Sequence, residues 1–133
     1  MKLFRMTLES LRAFCLSLPH AGEKTAWESH ILFTIADKMF CISTFEPANP
    51  TKMTFKCAPE LFAELCEREN VIPAPYIARN HWVSLTEWDA LPAAEIKESI
   101  RESYRLVFER LPKKKQLELA TAARSNGEKK KLK

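Results

Sequence analysis

Two lysines four residues apart, Lys52 and Lys56, bracket Thr54 in a stretch whose alternate positions are Met53, Phe55 and Cys57. That alternation predicts a strand with both ammonium groups on one face and the apolar side chains on the other. Further along, Arg79, His81 and Trp82 bring a guanidinium, an imidazole and an indole close together, with Tyr76 shortly before them. Cations of this kind contact phosphate oxygens, and a neighbouring ring stacks on a base, so the chemistry these types support is nucleic-acid binding. Lys38, between two apolar runs, completes the candidate set. The competing role is structural. Large rings in alternating segments usually pack, which makes Tyr76 and Trp82 core or lid aromatics and leaves Lys52 and Lys56 as the wet side of their strand.

Catalytic chemistry finds less support. A cysteine or serine nucleophile needs an oriented histidine beside it. His20 falls in a turn, His30 at a strand start and His81 next to Trp82, so Cys57 with His81 is the one pairing a sheet would bring together. Cys57 alternates with the buried side, so no catalytic residue is assigned and the chain is expected to be non-enzymatic. Glycine occurs only at 22 and 127, which excludes a glycine-rich phosphate loop or dinucleotide fingerprint. The cysteines at 15, 41, 57 and 66 form no C-x-x-C pair and sit in apolar segments, the pattern of reduced core thiols. No metal ligand and no cofactor is expected.

Charge is distributed unevenly. Residues 113–133 carry eight lysines and arginines against two glutamates, or +6, so the whole chain's +4 leaves −2 for residues 1–112. The basic end reads as a flexible tail, 113–133, following a single domain, 1–112. Such a tail attracts phosphate without regard to sequence, or merely keeps the protein in solution. The 133-residue length and 46% hydrophobic content suit one core. Charges interrupt the first dozen residues and no apolar run reaches membrane-spanning length, so neither a signal peptide nor a membrane partner is expected and the compartment is taken as cytoplasmic.

The elements that must position these residues follow from periodicity. Thr7 caps a helix whose apolar positions are Leu8, Leu11, Phe14, Cys15 and Leu18, stopped by Pro19. His20-Ala21-Gly22-Glu23 reads as a turn. Residues 31–35 and 39–44 form a hairpin joined at Ala36-Asp37-Lys38, followed by the strand of Met53, Phe55 and Cys57. Pro59 opens a short helix with Leu61, Phe62, Leu65 and Cys66. Val71 to Ile77 pairs with His81 to Leu85 as an edge hairpin around Arg79-Asn80. Pro92 opens the longest helix, with Ile96, Ile100, Ser103, Tyr104 and Val107 inward, and Pro112 ends it. Its glutamates at 95, 98, 102 and 109 mark its basic residues as partners in surface ion pairs rather than phosphate contacts. The order is helix, three antiparallel strands, helix, two strands, helix: a two-layer α+β fold with helices on one face of the sheet.

Several segments carry a family resemblance. Leu16-Ser17-Leu18-Pro19 with an acidic turn and Trp27, then Lys38-Met39-Phe40, Phe55-Lys56-Cys57, Pro73-Ala74-Pro75-Tyr76 running to Trp82-Val83, and Glu102-Ser103-Tyr104 resemble the MmcQ/YjbR-like proteins over about residues 8 to 111. The resemblance implies the same order of elements, sometimes described as a double wing, a bacterial-type protein and DNA binding. It marks Lys56 as the leading candidate, ahead of Arg79, His81 and Trp82, with Lys52 and Lys38 behind. The alternative function is a protein- or small-ligand-binding module using the sheet surface left bare by helices, with Trp27, Phe33, Phe40 or Trp88 lining it. Oligomeric state is not legible.

Overall fold

The computed structural model describes residues 5–75 and 77–131; the side chains of Arg79 and of residues 123–131 lie outside the description, as does Tyr76. Six strands form one antiparallel sheet: β1 (Gly22–Ala26), β2 (His30–Ile35), β3 (Lys38–Thr44), β4 (Met53–Lys56), β5 (Val71–Pro73) and β6 (Trp82–Leu85). Their order across the sheet is β1-β2-β3-β4-β6-β5. Helices α1 (Leu8–Ser17), α2 (Pro59–Cys66) and α3 (Ala93–Glu109) pack on one face, and α4 (Lys113–Lys131) follows α3.

Local chemistry explains the boundaries. Thr7 and Ser10 form a capping box at the start of α1, satisfying amides that the first turn leaves without partners. Pro59 occupies the first turn of α2, where its missing N–H costs nothing. β1 is the strand that the expected turn at residues 20–23 concealed. It pairs with β2 from Gly22↔Thr34 to Ala26↔His30, and the hairpin turns at Trp27 and Glu28, both in the left-handed region with φ of 50° and 64°. The β2–β3 hairpin turns on Ala36 and Asp37, again with positive φ. Neither turn uses the Asn-Gly signature that would have announced a tight hairpin in the sequence.

The core lies between the sheet and helices α1 to α3. Phe33, Phe40, Phe55 and Val83 from the strands meet Leu11 and Cys15 of α1 and Ile96 and Ile100 of α3, all fully buried. One buried hydroxyl ties the layers: Ser103 of α3 donates to the Phe40 carbonyl (2.6 Å) and accepts from the Lys56 amide (2.9 Å). On the solvent side of α3, Arg101 pairs with Glu98, and Arg105 with Glu102 and Glu109. The basic segment expected to be a free tail runs as α4. Leu119 packs on the core cluster, its carbonyl meets His20 Nε2 at 2.8 Å, and Gln116 caps the carbonyls of Glu109 and Leu111. Composition missed this docking because it depends on one apolar side chain and three hydrogen bonds made by two polar ones.

Candidate functional site

Strand pairing sorts the cationic and aromatic candidates onto different parts of the molecule. Lys56 and Trp82 are direct partners across β4 and β6, on the sheet face away from the helices. The Lys56 ammonium donates to the Asn80 carbonyl (2.7 Å) and lies 5.9 Å from the Trp82 ring centre. Burial lowers its pKa, with the charge of Arg110 acting in the same direction. Lys56 therefore anchors the 3-10 turn Ala78–Asn80 that carries Arg79. Trp82 is only 7% exposed, so its ring is packed rather than offered to a base. His81 has a left-handed backbone and turns its ring the other way, edge-on to Phe62 of α2 at 5.4 Å.

The remaining candidates lie elsewhere. Lys52 sits at the opposite end of β4, about 13 Å of extended strand from Lys56, and its ammonium donates to the carbonyls of Pro47 (3.0 Å) and Asn49 (3.3 Å). Lys38 is exposed at the β2–β3 turn. The side chain of Arg79 and the whole of Tyr76 fall outside the described residues. The set is thus one packed pair, Lys56 with Trp82, and dispersed cations.

The Cys57–His81 pairing does form, through the backbone: the Cys57 amide donates to the His81 carbonyl at 2.9 Å. Burial, reinforced by Cys66, pushes the Cys57 thiol up to about 11, so it stays protonated and unreactive at neutral pH.

The sheet face without helices holds a different feature. A pocket of about 440 Å³ opens over the middle strands, floored by Ile42, Thr54 and Ser84 and walled by Met39, Ala74 and Ile77. The floor follows from register: Ile42 pairs with Thr54, and Thr54 with Ser84, so all three project to the same side. The wall is the proline-rich stretch. It leaves β5 at Pro73, and the Ala74 amide bonds the Trp82 carbonyl (3.0 Å), folding Ala74, Pro75 and Ile77 over the sheet. Trp27 closes one side, 67% exposed and edge-on to His30 at 5.6 Å.

Polar groups in this pocket are few and specific. Thr54 Oγ1 and Ser84 Oγ lie 2.7 Å apart, and their residues are 8% and 1% exposed. Two hydroxyls sharing one hydrogen bond keep a second hydrogen, and no other described acceptor meets it. His30 Nδ1 is buried without a hydrogen-bond partner. Lys52 stands at the rim. Mostly apolar walls with a few convergent polar groups are what small-molecule sites present, and the volume lies within their usual range.

The family model of YjbR matches residues 16–106, more than half of the chain. The chain belongs to the YjbR family. Among solved structures, a Deinococcus radiodurans protein with a DUF419 domain is 26% identical, with a TM-score of 0.78 over 87% of this chain and 89% of that one. A Pseudomonas syringae protein is 21% identical, with a TM-score of 0.65 over 76% of this chain and 98% of that one, a likeness of fold. No curated protein matches. The YjbR match spans the strands, α2 and most of α3, and therefore every floor and wall residue of the pocket.

Sequence reasoning passed over Ile42, Thr54, Ser84 and His30. Thr54 and Ser84 were visible only as the polar members of two alternating strands, and pairing those strands in register was the step that joins them. The aromatics expected on the bare sheet surface divide. Trp27 is there, whereas Phe33 and Phe40 are fully buried under the helices: Phe33 falls on the core side of its strand, and Phe40 is turned to that side by the register shift between β2 and β3. Trp88 packs against the core cluster from beyond β6.

Proposed function

We propose that this YjbR domain is a non-catalytic binding module whose open-face pocket holds a small, largely apolar ligand. The observation that carries this reading is the pocket of about 440 Å³ whose floor hydroxyls, Thr54 and Ser84, keep an unspent hydrogen in a mostly apolar surround. That hydrogen faces the pocket, where a ligand oxygen accepts it in place of solvent. Trp27 supports the same reading. The β1–β2 turn holds it exposed beside the opening, where its ring offers a flat apolar surface to a ligand.

DNA binding, the reading carried by the family resemblance, has one supporting observation: Lys113, Lys114 and Lys115 are exposed together at the start of α4. The body offers less, since Arg12, Arg68, Arg101 and Arg105 are paired with glutamates and Lys56 and Lys52 stand at opposite ends of their strand. On this reading DNA affinity is weak, indifferent to sequence and steeply salt-dependent.

The test is a fragment screen by saturation-transfer NMR on the full chain and on Ile42→Trp, which fills the pocket floor. The expected result is a set of small apolar fragments that bind the natural sequence and lose binding in Ile42→Trp while its circular dichroism is unchanged. Fragments that bind both proteins alike would remove the pocket from the account.

A further inference from the structure

We infer that the ligand of the open-face pocket is a small flat anion, an aryl or similarly apolar carboxylate, with its carboxylate on the Ser84–Thr54 hydroxyl pair and its ring beside Trp27. This rests on the ligand-binding reading above and adds the chemical class.

Charge is the first argument. Lys52 and His30 are the ionisable side chains among the described lining residues, and no aspartate or glutamate is among them. A cationic ligand finds no carboxylate among the described lining residues and is repelled by the Lys52 ammonium. An anion gains from Lys52, whose ammonium has spent two hydrogens on the carbonyls of Pro47 and Asn49 and keeps a third.

Donor geometry is the second. The spare hydroxyl hydrogen of the Ser84–Thr54 pair sits on the floor and needs an acceptor, and a carboxylate is the strongest one a small metabolite offers. His30 Nδ1, buried and without a partner, lies two strands from Thr54 on the Trp27 side, where it presents a donor or an acceptor, according to its tautomer, to a ring substituent. The third argument is shape. Trp27 stands edge-on to His30 at the opening, exposed by its turn, and gives a flat ligand a ring to pack against.

Calorimetric titration of the full chain with phenylacetate, phenylacetamide and phenethylamine separates these claims, since the three differ mainly in charge. Phenylacetate is expected to bind about tenfold tighter than the amide, the worth of one charge-assisted hydrogen bond, and phenethylamine not at all. Lys52→Met should erase the preference for phenylacetate over the amide, and Lys52→Arg should restore it. Ser84→Ala should weaken acid and amide together. Equal binding of all three probes would overturn the carboxylate assignment while leaving a ligand pocket standing. Absence of binding by all three, and by benzyl alcohol at millimolar concentration, would overturn the pocket reading and this inference together.

Discussion

The two faces of the sheet are built from the same strands and carry opposite kinds of side chain. Toward the helices, Phe33, Phe55, Val83 and Leu85 fill a sealed core with the help of Ser103, whose hydroxyl hydrogen is spent on the Phe40 carbonyl. On the other face, Thr54, Ser84 and His30 hold unspent hydrogen-bonding capacity under a partial cover of Ala74, Pro75 and Ile77. Residues 54 and 55 are neighbours in sequence and face opposite sides of the sheet: Phe55 stabilises the fold, and Thr54 lines the pocket that we propose holds a ligand. On the proposed reading, stability and recognition are separated in this chain by the pleat of the strand rather than by domain or loop.

Breaking the core face should have the largest effect. Phe55→Ala is expected to lower the unfolding free energy by about 3–5 kcal/mol, read from urea titrations, whereas Thr54→Ala next door should cost about 1 kcal/mol. Comparable losses at the two positions would dissolve the contrast. Ser103→Ala comes next, at about 1–3 kcal/mol, because it leaves the Phe40 carbonyl and the Lys56 amide without their shared partner.

A pH series sharpens the same contrast. Burial raises the Cys57 thiol from 9.0 to about 11, and the Cys66 thiol and Tyr104 hydroxyl are also held above their ordinary values by burial. A group whose folded pKa is raised binds its proton more tightly in the native state, so its contribution is complete below the unfolded pKa and is lost as pH rises through the folded one. For Cys57 that window runs from about 9 to about 11, and the urea midpoint should fall across it. Lys56, shifted down by desolvation, works in the opposite direction at alkaline pH. A midpoint flat from pH 8 to 11 would count against the buried thiols. The smallest effect belongs to the outer face of α3. Arg105→Ala, although it removes two ion pairs, should change stability by no more than about 1 kcal/mol, because both partners are exposed.

Much of this fold was legible in the sequence. The capped first helix, the 31–44 hairpin, the Pro59 and Pro92 helix starts and the β5–β6 pairing all carry local signals, and the ion pairs on α3 follow from charge spacing. β1 was hidden because its turn places Trp27 and Glu28, not glycine, in the left-handed region. The docked start of α4 was hidden because lysine-rich composition outweighed Leu119. Of the pocket, the bare sheet face with Trp27 could be read in advance, whereas the proline-rich stretch was legible as an edge strand and not as a wall. The floor could not, since Thr54 and Ser84 come together only through register, thirty positions apart. Residue type made Lys56 and Trp82 look like a phosphate and base reader, and their pairing is real; what sequence could not show is that they satisfy each other and Asn80.

The most direct test of the central claim, that recognition belongs to the open face rather than to the basic groups, is a pair of amide-shift titrations on one isotope-labelled sample of the full chain. Phenylacetate should shift His30, Ile42, Thr54 and Ser84, and a short DNA duplex at near-physiological salt should shift only residues near Lys113 to Lys115. Duplex-induced shifts centred on Lys56, His81 and Trp82, with no response of the open-face amides to phenylacetate, would contradict the account.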